Sequence, residues 1–315
     1  MKQKLRLALI LGVGVMAMAS ASILIRLAQA EGAPSLVIAV YRMGTATLVL
    51  SIAAIRQQVW RDYAKLTPRE LGILTLSGIL LGLHFATWIT SLAYTSVLSS
   101  VVLVTTTPLW IGLAAPLLLG EATPRLTWIA IMIAIAGGIT IGLADWSGEA
   151  SQATTWGNIL ALGGAILGAG YFIIGRGVRE QVRLLAYLWL VYGMALLLLL
   201  GWSLIGRLPL TGYSPVTIGW MIALGLVPQL VGHTAANYAL RHLSATFVGV
   251  AILGEPIGST LLAILFLNEW PGLLQVSGAL LILAGIGLAS AAERGERMLH
   301  RRGQGEGQEA LPLIE

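Results

Sequence analysis

The sequence of 315 residues contains no cysteine, which excludes disulfides, thiolate metal sites and cysteine nucleophiles. It is also poor in charge: only 10% of its residues are Asp, Glu, Lys or Arg, against about 25% in soluble domains. Hydrophobic residues make up 57% of the chain. Because so few polar side chains cannot cover a soluble protein of this size, a soluble enzyme is not expected. Lipid is the predicted solvent for most of the chain.

Several chemical motifs are missing as well. The sequence has no GxxxxGKS/T phosphate-binding loop, no HExxH zinc motif and no pair of acids at the end of an apolar run that would hold a metal. We therefore expect no cofactor and no metal site. The net charge of +5 comes from residues that lie between apolar runs rather than on one face. This pattern indicates membrane topology and not a nucleic-acid partner.

Ten apolar runs of about 20 residues dominate the chain, and a run of that length crosses a ~30 Å hydrocarbon core as a helix. The sequence thus predicts an all-α integral membrane protein with ten transmembrane helices, embedded in the lipid bilayer. A polar, Gly-rich tail over residues 293–315 is predicted to be disordered. The predicted spans are residues 5–25, 35–55, 71–92, 98–119, 127–144, 156–175, 184–205, 216–233, 244–267 and 273–292.

The positive charges indicate the orientation. If the N-terminus is cytoplasmic, 16 of the 19 Lys and Arg lie in cytoplasmic segments and 2, Arg26 and Arg207, lie outside. Because positive residues are enriched on the cytoplasmic side, we expect a multi-pass protein of the cytoplasmic (inner) membrane with both termini cytoplasmic. The N-terminal segment also resembles a signal peptide, because Lys2, Lys4 and Arg6 precede an apolar run and the small-residue stretch MAMASAS. An uncleaved first span is favoured because it completes a repeat.

The sequence repeats itself at an offset of 148 residues. Residues 105–121, TTTPLWIGLAAPLLLGE, align without a gap with residues 253–269, LGEPIGSTLLAILFLNE, so that Pro108 meets Pro256. The predicted domains are two five-span units, 5–145 and 156–292, followed by the cytoplasmic tail. Because five is odd, the second unit enters the membrane from the opposite side. Inverted repeats of this kind are the architecture of secondary transporters.

The repeated motifs resemble a known family. Each half has an apolar span with a proline and a terminal Gly-Glu or Asn-Glu, TPLWIGLAAPLLLGE and EPIGSTLLAILFLNE. The preceding segments are LAYTSVLSSVV and LRHLSATFVGV, and the second span opens with YRMG. Over about residues 5–292 the chain resembles the EamA-type family of the drug/metabolite transporter superfamily. The resemblance implies a transporter, often an exporter, of small metabolites such as amino acids, and leaves the substrate open.

Two charged residues inside predicted spans are the first candidates for substrate binding, because a charge at mid-bilayer is costly. Arg42 lies about seven residues from the outer end of span 2, or ~10 Å deep at 1.5 Å per residue. It could receive an anionic substrate group, tie helix-end carbonyls or snorkel to the interface. Glu255 lies near the middle of span 9, directly before Pro256. It could bind a substrate amine, hold a proton or neutralise Arg42.

Four further residues are predicted to face the substrate. His84 and Trp88 share one face of span 3, because they are four residues apart. Histidine can relay protons and tryptophan can stack on a ligand; a histidine hydrogen-bonded between helices is the alternative. Thr107 on span 4 and Tyr171 on span 6 could line a pore or bond across helices.

Other polar residues are expected to be structural. His233 and Asn237 share a face near the inner end of span 8 and are expected to cap the cytoplasmic connection. Glu121 and Glu269 sit at span ends, where they are expected to end the apolar segment or cap neighbouring helices. Pairs of small residues spaced by four permit close helix contact, including contact in a homodimer, without requiring one.

The predicted function is a secondary transporter that moves a small organic metabolite, amino-acid-like or drug-like, by alternating access, with export as the expected direction. Arg42 with Glu255 would suit a zwitterion, whereas Glu255 with Trp88 would suit an organic cation. A passive channel and an integral-membrane enzyme are the alternatives. They are less favoured because channels commonly form from rings of subunits and the chain lacks enzyme motifs.

Overall fold

The computed structural model of the chain describes residues 2–118, 125–146, 151–178, 182–235, 254–288 and 291. Within these residues the chain is helical and contains no β-strand. The predicted tail at 293–315 lies outside them, as do Glu121 and Asn237.

The helices of the described residues follow one another through short connections. In chain order they are α1 (Lys2–Ala30), α2 (Ser35–Arg56), α3 (Trp60–Tyr63), α4 (Pro68–Ser91), α5 (Val97–Val104), α6 (Thr107–Leu118), α7 (Arg125–Trp146), α8 (Ser151–Val178), α9 (Leu184–Ile205), α10 (Pro215–Leu224), which continues as a π-helical segment (Gly225–His233), α11 (Gly254–Leu267) and α12 (Leu273–Leu288).

Seven helical segments of the described chain are long and apolar enough to cross a membrane, as expected of a multi-pass membrane protein. They are Leu9–Ala30, Ser35–Arg56, Pro68–Ser91, Val97–Ala114, Gln152–Ile174, Leu184–Ile205 and Pro215–His233. The fifth, ninth and tenth predicted spans coincide with α7, α11 and α12, whose apolar stretches within the described residues are Arg125–Ile141, Gly254–Leu267 and Leu273–Leu288. The first part of the ninth predicted span lies outside the described residues.

Polar caps mark where helices begin after a connection. Thr67 and Glu70 form a capping box at the start of α4, in which each side chain accepts the backbone N–H of the other residue. Ser96 caps α5, because its Oγ accepts the N–H of Ser99 at 3.0 Å. Each cap satisfies backbone groups that the first turn of a helix leaves without a partner.

Helices α7 and α12 cross in close, antiparallel contact. A Cβ added to Gly137 would lie 2.6 Å from the carbonyl oxygen of Gly278, and one added to Gly285 would lie 2.7 Å from the carbonyl oxygen of Ala130. The residue numbers rise along α7 while those of the partners fall along α12, so the two helices run in opposite directions. Glycine lets the two backbones approach this closely.

Helices α2 and α9 also run antiparallel. Gly44 faces Leu196, and two helical turns further along α2 the indole Nε1 of Trp189 donates to Ser51 Oγ at 2.8 Å. After α2 ends, the ring of Tyr63 stacks on Trp189 with the centroids 6.2 Å apart. The largest buried apolar cluster lies around this pair of helices, together with α1, α4 and α10.

We expect Gly137→Ala to destabilise the protein. The new Cβ would meet the carbonyl oxygen of Gly278 at 2.6 Å and the backbone nitrogen of Ile282 at 2.9 Å, and backbone atoms cannot rotate away. Overpacking of this kind costs about 1–3 kcal/mol. Thermal unfolding of the purified protein in detergent measures the change. Gly287→Ala is the matched control, because a Cβ there meets nothing within 4 Å; equal unfolding midpoints for the two variants would contradict the close contact.

Candidate functional site

A buried arginine lies at the centre of the candidate substrate site. Arg42, on α2, is 1% exposed. Its Nε donates to Gln229 Oε1 at 2.9 Å, and its Nη2 lies 3.4 Å from Nε2 of His233, both on the π-helical segment. The guanidinium carbon lies 4.1 Å from the centroid of the Phe85 ring, a cation–π contact. These side chains hold the guanidinium inside the helix bundle, so Arg42 does not snorkel to the interface.

Two hydrogen-bond donors of this site are buried without a partner among the described residues. They are Arg42 Nη1 and Trp88 Nε1, on side chains that are neighbours: the guanidinium carbon lies 5.5 Å from the Trp88 ring. A buried donor without an acceptor costs about 1–3 kcal/mol, and more when it is charged. The arrangement therefore offers a positive charge and two N–H groups to an acceptor. A carboxylate, which only accepts when ionised, matches both.

His84 connects this site to α8. Its Nδ1 lies 2.8 Å from the carbonyl oxygen of Gly164, and because a carbonyl only accepts, Nδ1 donates in this contact. Its ring lies 6.3 Å from the Trp88 ring at an interplanar angle of 22° and meets Phe85 edge-on at 4.9 Å. His84 is thus hydrogen-bonded between helices, the role that the sequence analysis gave as the alternative to a proton relay. It also packs against the side chains that surround Arg42.

Thr107 lies beside His84, across a glycine of α8. A Cβ added to Gly168 would lie 3.1 Å from His84 Nδ1 and 3.4 Å from Thr107 Oγ1. The Thr107 hydroxyl donates to the carbonyl oxygen of Val104 at 2.9 Å, one turn earlier in the chain. The same hydroxyl lies 3.3 Å from the carbonyl oxygen of Ala165 on α8, so Thr107 also makes the contact across helices that the sequence left open.

Tyr171 belongs to a different aromatic group. Its ring lies 4.9 Å from the Phe172 ring and 6.4 Å from the Tyr187 ring, and the Tyr187 hydroxyl lies 3.1 Å from Ser77 Oγ. Among the predicted site residues, the structure therefore brings Arg42, His84, Trp88 and Thr107 together, while the described ring contacts of Tyr171 are with other side chains.

Glu255 lies in the first turn of α11 and is partly buried. Its neighbour Gly254 packs against α1, because a Cβ there would lie 3.2 Å from Val15. Glu255 and Arg42 interact electrostatically, but no ion pair within 4.0 Å joins them among the described residues. Direct pairing, one of the roles open for Glu255, is therefore not the arrangement in this structure.

Three side chains that contact Arg42 are missing from the predicted site: Phe85, Gln229 and His233. His233 contacts Arg42 and meets the Phe85 ring edge-on at 6.4 Å. The cytoplasmic connection that it was expected to cap lies outside the described residues. A π-helical turn contains more residues than an α-helical turn, so the residues that follow Pro228 lie on a different face of the helix than α-helical spacing predicts. Gln229 could have been recognised from the sequence, because an amide side chain inside an apolar span needs a polar partner.

A second polar cluster, the end clamp, joins α11 to the first half of the chain. Glu269 Oε1 accepts the backbone N–H of Val97 at 2.5 Å, and its Oε2 lies 3.4 Å from Arg26 Nη2. Arg26 Nη1 donates to the carbonyl oxygen of Leu92 at 2.6 Å. Asn268, with φ +52°, ends α11 in the left-handed conformation that asparagine tolerates. Glu269 thus caps a neighbouring helix, α5, which confirms the expectation for it.

Comparisons with known proteins agree with a membrane transporter. The sequence profile of the EamA-like transporter family matches residues 6–143 and 155–291. A curated protein from Archaeoglobus fulgidus, named as an uncharacterized transporter, is 25% identical over 229 residues, which cover 71% of this chain and 76% of that protein. A crystal structure superimposes with a TM-score of 0.62 at 18% identity, over 92% of this chain and 99% of the other, which shows a shared fold.

Proposed function

The chain belongs to the EamA-like transporter family, and from this premise we propose that it is a secondary transporter that moves a small organic metabolite across the cytoplasmic membrane by alternating access. The curated relative is likewise named as a transporter. The chain has no phosphate-binding loop for a nucleotide. Transport is therefore proposed to use a gradient of solute or ion, or to be uncoupled from any second gradient.

The proposed architecture is ten spans in two inverted five-span repeats, 5–145 and 156–292. The double match of the family profile supports it, as do the antiparallel pairs α7 with α12 and α2 with α9, which take corresponding places in the two halves. At an offset of 148 residues, the contact of Gly137 with Gly278 corresponds to that of Gly285 with Ala130. Two units of opposite orientation related by a pseudo-two-fold axis produce this pattern.

The proposed substrate site is built around Arg42 and Trp88, with His84 and Thr107 beside them. The observation that carries it is the pair of buried donors, Arg42 Nη1 and Trp88 Nε1, that have no partner among the described residues. A substrate carboxylate accepts from both and neutralises the guanidinium. Gln229 and Phe85 hold the guanidinium in place by the hydrogen bond and the ring contact described above.

Glu255 supplies the proposed second charge of the site. It interacts with Arg42 without a direct ion pair, which leaves its carboxylate free to receive a substrate amine. A zwitterion such as an amino acid therefore satisfies both charged residues, whereas a simple organic cation leaves Arg42 and Trp88 unsatisfied. Tyr171 is proposed to line the substrate path on α8.

Alternating access needs one end of the site to be closed while the other is open. The end clamp suits the closed outer end, because Glu269 of the second half holds the N-terminus of α5 and Arg26 of the first half. Release of the substrate to the outside, the proposed direction, requires these contacts to break. The bonds join side chains and backbone at a surface end and are partly exposed, so water can replace them at modest cost.

Matched pairs of labelled solutes test the proposed substrate class. The purified protein is reconstituted into vesicles, and exchange of each amino acid is compared with exchange of the amine that lacks only its carboxylate. We expect exchange of the amino acid to exceed that of the amine at least tenfold, because a site that hydrogen-bonds a polar group rejects the analogue without it. Faster exchange of the amines would contradict the carboxylate site and favour an organic cation as substrate.

We also expect both termini to be cytoplasmic, because 16 of 19 positive residues fall on the cytoplasmic side in that orientation. A C-terminal fluorescent-protein fusion should fluoresce, and a C-terminal alkaline-phosphatase fusion should be inactive. A phosphatase fusion in the predicted outer connection beside Arg207 is the control and should be active. The opposite result for the C-terminal pair would overturn the orientation or the number of spans.

A further inference from the structure

The connection between α2 and α4 forms a fixed structure at the end of these spans. The Arg183 guanidinium pairs with Asp62 at 2.7 Å and also donates to the carbonyl oxygen of Gln57 at 3.3 Å. The Tyr63 hydroxyl donates to the carbonyl oxygen of Ala186 at 2.8 Å. These bonds attach the connection to the start of α9, so the side chains between them keep a defined arrangement.

A polar pocket of about 560 Å³ lies between this connection and α9. That volume is typical of small-molecule sites. Its lining residues are Gln57, Gln58, Arg61, Asp62, Lys65, Leu66, Glu70 and Arg183.

The acids of the pocket are already engaged, while two of its cations are not. Asp62 is paired with Arg183, and the Glu70 carboxylate accepts from the backbone N–H and the hydroxyl of Thr67 at 2.7 and 2.8 Å. Arg61 and Lys65 have no ion-pair partner among the residues that the structure describes. The lining carries three cations and two acids, a net charge of +1, and its two cations without an ion-pair partner are four residues apart in the chain.

We propose that this pocket binds the phosphate group of an anionic phospholipid through Arg61 and Lys65. The pocket lies where α2 ends and α4 begins, at the level where a lipid headgroup meets the protein. The last turns of α2 expose Ile52 and Ile55, and Trp60 beside the pocket is about half exposed, which suits acyl chains and the membrane interface. Basic pockets between spanning helices bind anionic headgroups in this way.

Native mass spectrometry of the purified full-length chain in detergent tests the site. The protein receives dioleoyl phosphatidylglycerol or zwitterionic dioleoyl phosphatidylcholine, and in separate samples inorganic phosphate or glycerol phosphate. We expect phosphatidylglycerol to bind at least tenfold more tightly than phosphatidylcholine. Arg61→Gln with Lys65→Gln should remove this preference. The control variant, Arg125→Gln with Arg207→Gln, removes two positive charges from exposed positions elsewhere and should retain the preference for phosphatidylglycerol.

Two further comparisons distinguish lipid binding from misfolding and from binding of a free phosphate ester. Arg61→Lys with Lys65→Arg preserves the charge and should retain the preference even if the neutral double variant folds poorly. Glycerol phosphate that displaces phosphatidylglycerol from the wild type, but does not bind the neutral variant, would assign the same pocket to a free phosphate ester. Equal lipid preference in the folded neutral variant and the wild type would overturn the proposal, as would loss of the preference in the charge-preserving variant. Because Arg42 takes no part, failure here leaves the proposed transport site intact.

Discussion

Arg42→Ala should reduce binding and exchange of a carboxylate-bearing substrate about a hundredfold or more. The substitution removes the buried positive charge and the Nη1 donor, and each hydrogen bond to a charged group contributes about 1.5–3 kcal/mol, where 1.4 kcal/mol is tenfold. Arg42→Lys should retain part of the activity, because it keeps the charge and loses only the planar geometry of the guanidinium. Substrate exchange in vesicles and binding to the purified variants measure both effects.

Two comparisons separate a binding role from a structural one. Trp88→Phe removes the Nε1 donor together with the five-membered ring of a buried indole, so we expect binding to fall about tenfold and the unfolding temperature to fall with it. Arg207→Ala removes an exposed arginine outside the site and should leave exchange unchanged. Wild-type binding by folded Arg42→Ala protein would show that Arg42 stabilises the helix bundle through Gln229 and His233 and does not receive the substrate.

Glu255→Gln should separate proton coupling from simple charge compensation. Glutamine has the shape of the protonated acid but cannot change its charge. If Glu255 couples protons, gradient-driven accumulation should stop while substrate exchange continues and loses its pH dependence. If Glu255 only compensates the substrate amine, both activities should fall together, by about tenfold or more, because binding itself is damaged.

The matched control for Glu255 is Glu269→Gln, which neutralises the carboxylate of the end clamp instead of that of the site. It weakens the contacts with Arg26 and Val97 and should change the rate of exchange more than the affinity for substrate. Accumulation and exchange that both remain at the wild-type level in Glu255→Gln, with the same pH profile, would remove Glu255 from the site.

The membrane class, the family and three of the central residues follow from the sequence because they depend on local chemistry. An arginine in an apolar span is costly enough to stand out, and Arg42 indeed lies buried with polar and aromatic neighbours. The shared face of His84 and Trp88 follows from helical spacing alone, and their rings lie 6.3 Å apart. Glu269 was expected to end its apolar segment or cap a neighbouring helix because it lies at a span end, and it caps α5.

The partners of these residues could not be predicted, since they depend on how distant helices pack. Gln229 lies 187 positions from Arg42 in the chain, and no periodicity within one helix reveals such a contact. His233 shows a second limit of prediction from sequence. Its position depends on π-helical turns around Pro228, whereas the sequence was interpreted with regular α-helical turns. The neighbours of Tyr171 depend likewise on α9, which contributes Tyr187.

Counterflow in reconstituted vesicles tests alternating access most directly. Vesicles are loaded with a high concentration of unlabelled amino acid and diluted into a trace of the same labelled compound. A carrier that exposes one site to each side in turn should concentrate the label transiently inside, with an initial rate that saturates as the substrate concentration rises and that Arg42→Ala abolishes. A flux through the wild type that rises linearly with concentration, without transient accumulation, would identify a channel and contradict alternating access.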